Sequence, residues 1–299
     1  MTNQLPIDYD IQKYVALNHF LILRRYSELG NTPLTWQQVT DHYLTYGINN
    51  KLKYRFGDVE IIIYSGGKTG STSLFCSFNT VNEFKVLSLH CDWQLANVAS
   101  RCNPPTQVYT ISDIINCNRP NKLLLVSSYR EPIGRHISSF FQNIVIHMKM
   151  PMDQILSKNI QTVNDLIIKF LIENHEIYHP FLENDKKNFD GVNIYSKTFN
   201  KTDGYQIFET KKVKIILLRF DKIYNWEKII KQNTKYKNFK IISENLTSEK
   251  ESYNLYKKVC QSIIIPKEVL DDIFTKEKIN MEYFFTPKEI RIIKNKWYK

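Results

Sequence analysis

The stretch Tyr64-Ser65-Gly66-Gly67-Lys68-Thr69-Gly70-Ser71-Thr72-Ser73-Leu74 constrains this chain more than any other. An apolar, largely β-branched run, Val59-Glu60-Ile61-Ile62-Ile63, leads into it, and a segment of helical character, Ser71 to Phe78, leaves it. Strand, glycine turn and hydroxyl-rich helix start are what anion binding requires. Glycine lets the backbone approach an anion closely. The free N–H groups of a first helical turn, at the positive end of the helix dipole, then hold the charge. Lys68 adds a full positive charge, and Ser71, Thr72 and Ser73 add hydroxyl donors.

The rest of the chain supplies a sheet around this loop. Residues 58–64 read as a buried strand of the parallel-sheet type, because the run is continuously apolar. Phe84 to Leu89 is a second strand, ending at His90. Leu123 to Ser127 is a third, running into Tyr129-Arg130-Glu131-Pro132 and a helix from Ile133 to about Met148. Pro132 suits a first helical position, where its missing N–H costs nothing. Residues 191–195 and 205–208 read as short strands paired around Asp203-Gly204, and Val213 to Leu218 as a further buried strand before Arg219-Phe220-Asp221. Helices are predicted over 8–29, Trp36–Tyr46 (stopping at Gly47), Thr110–Ile115, 150–185 and most of 222–299.

Strands alternating with helices argue for an α/β fold: three layers, a mainly parallel central sheet flanked by helices, with extra helices at both termini. We expect one domain over 1–299, made of an N-terminal helical extension (1–55), a cofactor-binding α/β core (56–220) and a helical C-terminal part (221–299). Ligands of such sheets bind beyond the carboxyl ends of the strands. The Lys68 loop, His90 and Arg130 all fall at such ends.

Lys and Arg number 41 against 30 acidic residues, a formal charge of +11, which suits anionic partners: nucleic acid, acidic membranes, or anionic small molecules and polymers. The five cysteines form no CxxC pair, which argues against a disulfide framework and a zinc site. No run reaches the ~18 apolar residues of a membrane span. Met1 to Asp10 is polar and acidic, unlike a secretion signal. The expectation is cytoplasmic, compatible with peripheral association at the membrane.

A nucleotide-triphosphate loop would need G-x-x-x-x-G-K-[ST]. Gly67-Lys68-Thr69 matches its end, but the first glycine would fall on Ile62, inside the strand. Read as Lys68-Thr69-Gly70-Ser71-Thr72-Ser73, the loop instead resembles the 5′-phosphosulfate loop of sulfotransferases that use 3′-phosphoadenosine 5′-phosphosulfate (PAPS). Arg130-Glu131-Pro132, a helix, then Ser138-Ser139-Phe140-Phe141 is similar to the 3′-phosphate element of that superfamily. Ser138 follows Gly134 by four residues, so both occupy one helix face, where Gly134 leaves room. Further likeness is to a bacterial family of capsular polysaccharide synthesis proteins with a terminal asparagine-lysine-tryptophan-tyrosine-serine motif. Here that motif reads Asn295-Lys296-Trp297-Tyr298-Lys299, departing at the last position, and Phe189 through Ile207 and Tyr283 through Glu289 are also similar. The likeness spans roughly residues 58 to 299.

The resemblance implies a P-loop-like sulfotransferase fold and transfer of a sulfuryl group from PAPS to a hydroxyl of a bacterial surface polysaccharide or its precursor, with no metal and no nucleic acid. It implies that Lys68 meets the charge on the breaking bridging oxygen. Thr69, Gly70, Ser71, Thr72 and Ser73 would hold the 5′-phosphate, and Arg130 and Ser138 the 3′-phosphate. A sugar hydroxyl needs a general base, and His90 is the first candidate, since an imidazole titrates near 6.5. His136, Asp92 and Asp113 are further candidates; Glu131 is expected to cap its helix and Arg135 to reach the nucleotide or sulfate. No glycine-rich stretch near the C-terminus matches the one that cytosolic sulfotransferases place on the 3′-phosphate. Two other classes stay open: another nucleotide-donor transferase of capsule assembly, and a non-enzymatic polyanion-binding protein.

Overall fold

The computed structural model describes residues 4–26, 33–82, 85–89, 102–103, 109–174, 189–243 and 250–298. Local capping chemistry sets most element boundaries. Helix α1 (Ile11–Arg25) starts where the Asp10 carboxylate accepts the Gln12 and Lys13 N–H groups, each at 3.0 Å. Helix α2 (Trp36–His42) starts at a Thr35–Gln38 capping box and runs into a π-helical turn, Tyr43–Gly47. Strand β1 (Ile61–Tyr64), helix α3 (Ser71–Val81) and strand β2 (Val86–Leu89) follow. A Thr110–Asp113 capping box opens α4 (Ile111–Asn116), and β3 (Leu123–Tyr129) leads to α5 (Pro132–Gln142). The helix expected to reach Met148 breaks at Asn143 and resumes as α6 (Ile144–Met148). In place of one helical stretch from 150 stand α7 (Met152–Leu156) and α8 (Ile160–Glu173); residues 175–185 lie outside the described ones.

One strand expectation is corrected. Residues 191–195 form no strand: Asn193 caps a 3-10 turn, Ile194–Ser196, by accepting the Tyr195 N–H at 3.1 Å. That side-chain bond offers the backbone an alternative to a ladder. Strand β4 (Tyr205–Glu209) pairs instead with β5 (Val213–Arg219), antiparallel, across a turn held by Thr210. Helices α9 (Ile223–Asn233), α10 (Tyr253–Ser262), α11 (Lys267–Lys276), α12 (Lys278–Phe284) and α13 (Pro287–Trp297) complete the chain.

These five strands form the central sheet, of order β2-β1-β3-β5-β4 and parallel except at the β4 edge, while two-residue strands at Leu34–Thr35 and Cys102–Asn103 pair in parallel apart from it. Alternation along each strand divides the side chains between two faces. Ile61, Ile63, Leu124, Val126, Ile216 and Leu218 pack with Leu74 and Phe78 of α3 and with Trp226, Ile229 and Ile230 of α9. Ile62, Tyr64, Leu123, Leu125, Ile215 and Leu217 pack with α5, α8 and the C-terminal helices on the other side. The result is helix, sheet, helix. A separate small cluster (Tyr14, Val15, Ile22, Leu34, Val39 and Tyr43) holds α1 and α2 together.

The strand order reverses at one place. The chain passes from β1 outward to β2, then returns to the far side of β1 for β3 and moves outward again to β5. The carboxyl ends of β1 and β3 therefore flank the switch point, where such sheets hold ligands. The loop bearing Lys68 follows β1, and Arg130 follows β3 directly.

Candidate functional site

The β1–α3 loop is a rigid construction. Thr69 is fully buried and its hydroxyl donates to the Gly66 carbonyl at 2.6 Å, closing the turn. The Thr69 carbonyl in turn accepts the Ser128 hydroxyl of β3 at 2.8 Å. Lys68 sits at φ +67°, a left-handed conformation that costs a non-glycine residue free energy and that the surrounding loop must enforce. Gly70, at φ +88°, is the N-cap of α3 and supplies no side-chain cap. The first helical bond is Leu74 N–H to Gly70 O at 3.1 Å. The N–H groups of Ser71, Thr72 and Ser73 thus have no acceptor within the helix. Ser71 and Ser73 are buried, and Thr72 is exposed.

Arg130 joins this loop from β3. Its Nη1 donates to the Lys68 carbonyl at 3.2 Å, its guanidinium lies 4.7 Å from the Phe220 ring centroid, and the Tyr256 side chain of α10 stands beside it. Burial, with the charges of Lys250 and Arg130, pulls Lys68 down to about 8. A desolvated cation beside two others is a site short of negative charge.

Glu131 caps α5 as expected, its Oε1 accepting the Gly134 N–H at 2.8 Å. Burial pushes its carboxyl up despite that bond and the Arg130 charge. The room at Gly134 is already filled: a Cβ there would lie 2.2 Å from Glu131 Oε1. Glycine at 134 serves the Glu131 cap, correcting the expectation that it clears space beside Ser138. Ser138 itself is buried on α5, one helical turn beyond Gly134.

The other candidates separate. His90 and Asp92 lie outside the described residues. His136 is buried, edge-on to Phe170 of α8, on the helix-packing side of α5. Asp113 is spent on the α4 capping box, accepting from the Thr110 N–H at 2.7 Å and hydroxyl at 2.9 Å. Arg135 is buried close to Glu277, which accepts the Tyr129 hydroxyl at 2.9 Å; its surroundings are those of a core network. Among the described residues no group of three His, Cys, Asp or Glu side chains could hold a metal ion, and no helix is long and apolar enough to cross a membrane.

Sequence reasoning missed Phe220, Trp226, Ser128, Lys250 and Tyr256. Phe220 follows β5, whose carboxyl end lies on the same sheet edge as Arg130, so strand order would have found it. The approach of Lys250 and Tyr256 is a tertiary fact with no local signal. Compared with protein-family models, with curated proteins and with solved structures, the chain matches none.

Proposed function

We propose that this chain is a P-loop-like sulfotransferase that moves a sulfuryl group from PAPS to a hydroxyl of a surface polysaccharide or its precursor. The observation that carries the reading is the contact of Arg130 with the Lys68 carbonyl at a switch point of the sheet. The loop after β1 and the arginine after β3 meet there, which suits a donor with two anionic ends to be held. The cations Lys68, Arg130 and Lys250 gather at this edge.

The chemistry follows from the parts. Sulfuryl transfer, like phosphoryl transfer, depends on alignment and on charge stabilisation. The N–H groups at the start of α3 and the Ser71 to Ser73 hydroxyls receive the 5′-phosphate. Thr69 shapes the loop from beneath. Lys68, half-buried, meets the charge that grows on the bridging oxygen as the sulfur–oxygen bond breaks. Arg130, oriented by Phe220 and the Lys68 carbonyl, takes the 3′-phosphate together with Ser138. His90 remains the proposed base that accepts the acceptor hydroxyl's proton. A polyanion-binding module would need no such convergence at strand ends, which favours the enzyme.

Adenosine 3′,5′-bisphosphate, the product nucleotide, should raise the melting temperature in a saturable way, since a ligand of the folded state stabilises by mass action. Transfer of labelled sulfate from PAPS to a polysaccharide acceptor then tests the reaction. A shift with ATP or a nucleotide sugar, and none with the bisphosphate, would overturn the sulfotransferase and favour another nucleotide-donor transferase.

A further inference from the structure

The opposite, amino-terminal edge of the sheet carries a second groove. It has a volume of about 380 Å³ and lies between the start of β3, the start of β5 and the end of α9. Volumes of roughly 300–1,000 Å³ are typical of ligand sites. Leu123 and Leu124 form its floor, and Asn121, Gln232, Lys122, Lys214 and Lys235 are among its walls.

Two carboxylates, Glu60 in its wall and Glu209 beyond it, hold the three lysines of the groove and a fourth, Lys85, beside it. Glu60 binds Lys85 at 2.6 Å and Lys235 at 2.7 Å. Glu209 binds Lys122 at 2.7 Å and lies 3.8 Å from Lys214. Each cluster therefore keeps one positive charge in excess. The register runs Ile61–Leu124–Lys214–Glu209 across β1, β3, β5 and β4, so Lys214 stands two strand spacings and Glu209 three from the strand that Glu60 precedes, which sets the clusters about 10–14 Å apart. Amides and a short apolar floor fill the interval.

We propose that this groove binds a stretch of acidic polysaccharide, with anionic groups on separate sugars seated at the two lysine clusters and sugar hydroxyls bonded to the amides between. The spacing speaks against nucleic acid, whose strand in a duplex carries a charge about every 3.4 Å. Single-strand binding would also need an open stacking face. Tyr236, the groove's aromatic residue, is buried edge-on against Phe78, with its hydroxyl turned to Asn82 and Glu60. The inference does not rest on the sulfuryl-transfer reading, because the groove lies at the other end of the strands from Lys68.

Fluorescence anisotropy with a labelled hyaluronan octasaccharide, whose carboxylates sit on alternate sugars, tests the proposal. Lys122→Gln combined with Lys235→Gln removes one lysine from each cluster and should weaken binding about tenfold. Lys278→Gln combined with Lys288→Gln removes the same charge elsewhere and should leave binding within twofold. Melting temperatures of both variants, with and without adenosine 3′,5′-bisphosphate, separate loss of this groove from loss of the fold or of the Lys68 site. The proposal is overturned if the wild type does not bind the octasaccharide, if both variants weaken it equally, or if an oligothymidylate of equal charge binds more tightly.

Discussion

Gly70 rests directly on Trp226: a Cβ at position 70 would lie 2.9 Å from the indole Cη2 atom. The indole cannot retreat easily, because it is fully buried and its Nε1–H donates to the Arg219 carbonyl at 3.0 Å. Gly70 also sits at φ +88°. Gly70→Ala therefore meets both a backbone penalty of about 1–3 kcal/mol and a collision. We expect a fall in melting temperature of about 5 °C or more by calorimetry. A variant as stable as wild type would mean that the loop is not seated on the indole.

Lys68 gives a pH prediction. Burial and its cationic neighbours bring it down to about 8, below the ordinary lysine value. In the unliganded protein the cation is complete well below 8 and fades as pH rises through it. Binding of adenosine 3′,5′-bisphosphate, measured by titration calorimetry, should weaken across that window and take up a proton near pH 8. For stability the sign is opposite. The unfolded chain binds more protons between about 8 and the ordinary value, so the folded state gains stability as pH rises there. Lys68→Gln should accordingly lose the bisphosphate shift without lowering the melting temperature of the free protein. Unweakened binding at pH 9.5 would exclude Lys68 from the anion.

Phe220 bears on Arg130 without touching ligand in the proposed reading. Replacing it by leucine removes the cation–π face, worth about 0.5–2 kcal/mol, and frees the guanidinium to wander. Bisphosphate affinity should fall roughly threefold to tenfold, while Arg130→Ala should cost more than tenfold. If Phe220→Leu binds as well as wild type, the Lys68 carbonyl and Tyr256 suffice to orient Arg130.

Arg219 and Glu289 give an acid-stability prediction. Arg219 is 1% exposed, and its Nη2 donates to Glu289 at 2.7 Å. Burial pushes the Glu289 carboxyl up, but the bonds from Arg219 and Thr286 outweigh it and hold the group at about 2. A carboxyl held low in the folded state contributes stability that is present above its unfolded value. That contribution fades as pH falls from about 4.5 toward 2. Glu289→Gln should lower urea-unfolding stability by about 1–3 kcal/mol at pH 7 and flatten its decline below pH 4.5. An unchanged acid limb would place the acid-sensitive groups elsewhere.

Much of this architecture was legible because its signals are local. The loop after an all-apolar β1, Pro132 and Glu131 at the start of α5, and the Thr110 and Thr35 caps are readable from neighbours in the chain. The sheet edge carrying Lys68 and Arg130 followed from strand polarity alone. What failed depended on distant partners. Residues 191–195 have strand-like composition, yet the Asn193 side chain diverts them into a turn. Gly134 looked like space for a ligand and is space for Glu131. Asp113 looked free to act as a base and is committed to a cap.

The buried Arg219 cluster also ties the end of the central sheet to the last helix of the chain. Arg219 closes β5, but its partner Glu289 lies 70 residues later. The Phe284 carbonyl is also among its acceptors, and the Ile265 N–H is held by the Trp297 carbonyl. A nascent chain that has just passed β5 can already pair the guanidinium with Asp221 and the Lys201 carbonyl, but it still lacks the acceptors that α12 and α13 bring. The buried guanidinium therefore acquires its full set of acceptors only once α13 has been made, so the last helix is what completes the polar floor beneath β5.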